Sequence, residues 1–200
     1  MERLLLINGI LLIVLLLILC VAGVLFIIRN FLQKKSKNSG DQKTDYWYEL
    51  AFKDDLTGLL NRNAYNRRLK ELESYNFTGI WILLFDIDDF KDINDTKGHL
   101  FGDKMIICAA DRLRRVFSSS HHSIYRIGGD EFVVISENVR EEEIVGLLLK
   151  LKEFENNDME FRFSKGYSAV GSEQNGGVKR AFFNADEMLY ADKNSKKTKS

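Results

Sequence analysis

The chain opens on a stretch that is apolar on every helical face. Leu4 to Ile28 is almost unbroken hydrophobic sequence, and no charged residue occurs from Ile10 to Ile28. A helix of about 20 such residues crosses a hydrocarbon core of ~30 Å, so the pattern predicts one transmembrane helix within residues 4–28. A cleaved signal peptide fits less well, because apolar Val24–Ile28 runs straight past the small Ala22 and Gly23. A lipoprotein reading would use Cys20, but Leu19 before it is too large.

After this stretch the pattern is mixed. Ser36–Lys43 is polar and predicts a short connector. Asp45–Lys53 has helical spacing through Tyr46, Leu50 and Phe52, and Asp54–Asn61 reads as a loop. Arg62–Tyr75 is an amphipathic helix with Tyr65, Leu69 and Leu72 on one face. Gly79–Phe85 is a continuous β-prone run, as a strand buried on both faces requires, and it ends in Asp86, Asp88 and Asp89. Phe101–Phe117 repeats at helical spacing through Met105, Ala109 and Leu113. Ser123–Ile127 and Glu131–Ser136 are strand-like and flank Gly128-Gly129-Asp130, a hairpin signal in which glycines would supply positive φ. Glu141–Phe154 predicts a helix, Met159–Val170 a strand and Val178–Lys193 a last helix. The order α-β-α-β-β-α-β-α implies an α+β domain with antiparallel pairing in its sheet.

Charge sharpens this division. The 200 residues carry 29 basic and 29 acidic side chains, but residues 1–44 hold six Lys/Arg against two acids. The basic excess sits in Arg29, Lys34, Lys35, Lys37 and Lys43, just after the apolar run. Positive flanks stay on the cytoplasmic side, so a single-pass anchor in the cytoplasmic membrane is expected, with the C-terminal domain in the cytoplasm. Only a few residues precede the helix, and no folded extracytoplasmic domain is expected. The expected division is a membrane anchor with its basic flank at 1–35, a connector or signalling helix at 36–53 and a folded domain at 54–200. The folded part is net negative, which argues against a nucleic-acid partner. Cys20 and Cys108 form no CxxC pair, and no P-loop, HExxH or GxSxG motif occurs.

Two acidic groups carry the candidate chemistry. Asp86 follows a buried-type strand, and either holds a ligand there or caps the following helix together with Asp88. Asp130-Glu131 sits at the hairpin tip, either as a solvated turn or as part of the same site. On neighbouring strands these carboxylates would repel one another without a cation. Mg²⁺ with phosphate oxygens would complete an oxygen-ligand site, so the spacing points to a Mg²⁺–nucleotide site.

The motifs go further. Gly128-Gly129-Asp130-Glu131-Phe132 resembles the signature of the GGDEF family of diguanylate cyclases. Asp55-Leu56-Thr57-Gly58-Leu59 with Asn61-Arg62 resembles that family's first motif, and Phe85–His99 with Gly102-Asp103 its second long one. Ser164-Lys165-Gly166 resembles its SxG strand, and Ala185-Asp186, Leu189-Tyr190 and Lys193 its last helix. The resemblance covers roughly residues 50–197. It implies a palm-like βαββαβ core related to nucleotide cyclases and a homodimer that condenses two GTP into cyclic di-GMP and two pyrophosphates. Asp86, the Ile87 carbonyl and Asp130 resemble ligands of Mg²⁺ or Mn²⁺, and Glu131 the further acid near the attacking hydroxyl. Asn94 and Asp103 resemble the guanine readers. Lys91, Lys193, Lys197 and the Asp89-Phe90 amides resemble the phosphate contacts.

Two departures stand out. The family's RxxD inhibitory site would start at Ser119 and end at His122, so no product binding of that kind is expected. The family's KxxGRN ending reads Lys193-Asn194-Ser195-Lys196-Lys197-Thr198 here, which implies weaker triphosphate affinity or a frayed basic tail. His121 and His122 read as exposed loop residues. The alternative to an active cyclase is a weakly catalytic domain that binds GTP or a protein partner at the membrane.

Overall fold

The computed structural model describes residues 47–74, 79–157, 162–171 and 177–197. The chain divides into two compact units, Met1–Leu50 and Ala51–Ser200. The first helical residues described are 47–52 (α1), where Trp47, Tyr48 and Leu50 are exposed. Among the described residues no helix is long and apolar enough to cross a membrane. The helix expected within residues 4–28 lies outside them.

The second unit orders its elements as α2 (Arg62–Ser74), β1 (Ile80–Ile87), α3 (Phe90–Lys97), α4 (His99–Val116), β2 (His122–Arg126), β3 (Glu131–Glu137), α5 (Glu141–Asn157), β4 (Phe163–Ala169) and α6 (Gly177–Lys197). The four strands form one sheet in the order β2-β3-β1-β4, and every pairing is antiparallel. This is the expected βαββαβ order, with α3 and α4 together filling the first crossover. The expected single helix from Phe101 is longer and has a partner: Gly98, at φ +83°, separates α3 from α4. Glycine alone adopts that backbone readily, so it breaks the helix where the apolar spacing gives no warning.

β1 lies at the centre and is buried on both sides, which is why its sequence does not alternate. Its side chains do alternate in space. Leu83, Phe85 and Ile87 join Met105, Ala109 and Leu113 of α4 and Ile144 and Leu151 of α5 in one core. Ile80, Ile82 and Leu84 join Tyr65 and Leu72 of α2 and Val178, Ala181 and Ala185 of α6 in the other. The sheet is therefore the middle of three layers. β1 also runs two residues past the expected end, through Asp86 and Ile87. The period of two puts Asp86 on the α6 side, in line with Ile80, Ile82 and Leu84.

α6 sits unusually near the sheet. A Cβ at Gly166 of β4 would collide with the Ala185 carbonyl oxygen and the Leu189 amide nitrogen of α6. Both obstacles are backbone, so neither can swing aside. Gly166→Ala is expected to cost about 3 kcal/mol of stability, because the helix must move away from the strand. Urea denaturation checks this: the midpoint should fall while the slope is unchanged.

Candidate active site

Three strand ends and the last helix converge on one cavity of about 850 Å³. Five carboxylates line it: Asp86, Asp88, Asp89, Asp92 and Asp130. Five cations answer them: Lys91, Arg162, Lys193, Lys196 and Lys197.

Asp86 is buried at the end of β1, opposite Glu131 of β3 and Ser164 of β4. The Ile87 N–H donates to the Asp130 carbonyl at 3.3 Å, which brings the hairpin tip to the strand end. Lys193 Nζ lies 2.8 Å from Asp86 Oδ2. Burial pushes the Asp86 carboxyl above its ordinary value, and the charges of Asp130 and Asp88 add to this, although Lys193 pulls the other way. Asp130 is also pushed up, chiefly by burial and further by Glu131, against the opposing pull of Lys193 and Arg126. Two carboxylates held at a cost in one cavity suit a cation. Among the described residues no group of three or more His, Cys, Asp or Glu could hold a metal ion. The acidic lining offers oxygen donors, which suit a hard divalent cation such as Mg²⁺ that completes its octahedron with waters and phosphates.

The turn after β1 does not use Asp86 or Asp88 as a helix cap. Asp89 is the residue before α3, in the left-handed conformation at φ 56°, and its side chain makes no capping bond. Aspartate tolerates this conformation better than most side chains. Asp88 is held instead by β4: its N–H donates to the Arg162 carbonyl at 2.9 Å and the Ser164 hydroxyl donates to its Oδ1.

The hairpin also departs from the sequence reading. Neither Gly128 nor Gly129 has positive φ among the described residues. A Cβ at Gly128 would meet the carboxylate end of the flexible Glu131 side chain, which can swing aside. That carboxylate is exposed, outside the cavity lining, and 3.9 Å from Arg62 Nη2. Arg126 fixes the turn. It donates to the Gly129 carbonyl through Nε at 3.1 Å and Nη2 at 2.8 Å, and to both Asp54 oxygens at 3.1 Å. Burial would raise Asp54, but hydrogen bonds from Thr57 and the Arg126 charge outweigh it and hold the carboxyl below its ordinary value.

Asn94 and Asp103 lie apart from the cavity lining, on α3 and α4. The Asn94 Oδ1 is buried with no partner, and Gly102 makes room for it: a Cβ there would overlap that oxygen. Asp103 is exposed. Lys193 and Lys196 do not belong to a frayed tail, since α6 runs to Lys197. His122 is no exposed loop residue either. It opens β2, its Nδ1 lies 2.9 Å from the buried Ser136 Oγ, and its ring packs edge-on against Phe117. Lys196, Arg162 and Arg126 were missed from sequence. The signal for Lys196 was its spacing, three residues after Lys193 on one helix face.

The family profile "Diguanylate cyclase, GGDEF domain" matches residues 51–199. The probable diguanylate cyclase DgcI of Escherichia coli (strain K12) is 36% identical over 146 residues, covering 73% of this chain and 32% of that protein. An uncharacterized membrane protein of Staphylococcus aureus (strain USA300) is 28% identical over 158 residues, covering 73% of this chain and 44% of that one. The chain thus spans less than half the length of either relative. The crystal structure of the coiled coil and GGDEF domain of DgcB from Caulobacter crescentus, in complex with c-di-GMP, superposes with a TM-score of 0.69 at 25% identity, covering 84% of this chain and 93% of that one.

The raised carboxyls set a pH dependence. A group whose folded value is raised leaves stability intact below the ordinary carboxylate range. It removes stability as pH rises from there through the folded value, because the unfolded chain ionises first. Asp130→Asn should therefore stabilise the metal-free protein by about 1 kcal/mol at about pH 7 and have no effect near pH 3. Thermal denaturation in a chelating buffer checks both the gain and its disappearance.

Proposed function

The chain belongs to the GGDEF family of diguanylate cyclase domains, and on that premise we propose that it condenses two GTP into cyclic di-GMP and two pyrophosphates. The observation that carries this reading is the cavity itself: buried Asp86 and half-buried Asp130 share it with Lys91, Lys193, Lys196 and Lys197 at one sheet end. Carboxylates suit a divalent cation and lysines suit phosphates. The volume of about 850 Å³ is that of a pocket for one small ligand.

In this reading Lys91, Lys193 and Lys197 draw in the triphosphate, and the Asp89-Phe90 amides at the start of α3 cradle it. Asn94 and Asp103 read the guanine. The unpartnered Asn94 oxygen is an acceptor for a guanine N–H, and a carboxylate accepts what adenine does not offer. Asp86, the Ile87 carbonyl and Asp130 would hold Mg²⁺ or Mn²⁺, which when bound neutralises phosphate charge and acidifies the attacking hydroxyl. Glu131 is the further acid at the interface. One cavity holds one GTP, so two chains must meet as a homodimer. Each 3′-oxygen then bonds to the α-phosphorus of the other nucleotide, while the bond from that phosphorus to pyrophosphate breaks. The hydroxyl proton leaves to a base or to water.

An anchor at residues 4–28, with the catalytic domain cytoplasmic, would confine the partners to the membrane plane and raise their encounter rate. A second reading, a GTP-binding or protein-binding regulator, draws support from the Lys193–Asp86 pair, in which the chain neutralises its own ligand.

Incubation with GTP and Mg²⁺ is expected to give cyclic di-GMP, and Asp130→Ala to lower the rate at least about a hundredfold. Nucleotide chromatography checks both. GTP bound but never converted favours the regulator, as does a cellular phenotype that survives Asp130→Ala. Removing residues 1–35 should lower specific activity at low protein concentration, and an activity-versus-concentration series checks that.

A further inference from the structure

Lys196 stands where the family's KxxGRN ending has glycine, yet its ammonium has several partners in the cavity wall. Nζ lies 2.9 Å from Asp88 Oδ2, 3.1 Å from Asp192 Oδ2 and 3.3 Å from Ser164 Oγ, and it donates to the Phe163 carbonyl. The same Asp192 oxygen accepts the Lys165 N–H at 3.0 Å. One side chain thus joins the end of α6, the start of β4 and the turn after β1.

We propose that Lys196 is a positioning residue of the triphosphate pocket, acting through Asp88. The proposal rests on the nucleotide reading of the cavity. Asp88 immediately precedes Asp89, whose left-handed backbone sets the start of α3. Its amide is fixed to Arg162 and its carboxylate is shared by Ser164 and Lys196. With glycine at 196, that carboxylate would keep only the Ser164 hydroxyl and would turn a free negative charge toward an incoming anion. The cavity would also lose the balance of five acids and five bases. A lysine already spent on Asp88, Asp192 and two β4 oxygens is not itself a phosphate hook. Its work is to keep the turn in place and Asp88 neutralised.

The test uses the purified chain and a non-hydrolysable α,β-methylene GTP analogue, with binding measured by calorimetry. Lys196→Met should weaken binding about tenfold, and Lys196→Arg should recover it to within about threefold. Adding Asp88→Asn to Lys196→Met should also restore most of the affinity, since the unpaired charge is gone. Binding by Lys196→Met within about twofold of the parent would overturn the proposal, as would a further loss on adding Asp88→Asn. Hydrogen exchange of the ligand-free chain reads the clamp independently. The Asp88 and Ile93 amides should exchange faster in Lys196→Met and at the parental rate in Lys196→Arg; unchanged exchange in Lys196→Met overturns the clamp. If even the parent fails to bind the analogue, the nucleotide reading falls, and the exchange result still decides whether Lys196 holds the turn.

Discussion

A carboxylate buried at the end of a central strand is the constraint on which this domain turns. Asp86 continues the apolar face of β1, where a hydrophobic side chain would be easier to bury. Lys193 supplies the compensating charge, and it comes from the opposite end of the sequence. The pair therefore demands that α6 lie close against the sheet. Gly166 permits that approach by having no side chain to separate β4 from the helix. Ion pair and glycine are two parts of one requirement, since a helix set farther out would leave Asp86 without its partner.

The hairpin bearing Asp130 is held from the other side. Leu60 pairs with the outer edge of β2: it is bridged to Tyr125, and the Arg126 N–H donates to its carbonyl at 2.8 Å. Arg126 then links Asp54 to the Gly129 carbonyl. The segment that follows α1 is thus one ion pair and one hydrogen bond from the signature turn. Position is transmitted here by short, directional contacts between groups with defined partners.

Much of this was legible in the sequence. β1, β2 and β3 fall within a residue or two of where β-prone runs predicted them, because a sheet buried on both faces leaves little room for polar interruption, whereas β4 begins at Phe163, four residues after the expected Met159. The acid positions were legible through their motifs. Contacts made by long side chains were not. The spacing of Lys193, Lys196 and Lys197 reads equally well as a solvated tail, and only the path of α6 over β4 separates the two. The glycines of the signature misled in a different way. Positive φ is the usual reason for glycine in a turn, whereas neither Gly128 nor Gly129 adopts it. The break between α3 and α4 was hidden because Gly98 interrupts the backbone without disturbing the hydrophobic rhythm.

The long reach of the α6 lysines also fixes the order in which the domain can assemble. Lys196 and Asp88 are 108 residues apart in the chain. The β2–β3 hairpin and the α3–α4 pair can close early, since their loops are short and cost little entropy. A nascent chain lacking the final helix carries Asp86 without Lys193 and Asp88 without Lys196, with only Lys91 and Arg162 left to answer the strand-end carboxylates. The charge balance of the cavity therefore depends on α6, the last described element to be synthesised, which also supplies Val178, Ala181 and Ala185 to one of the two cores.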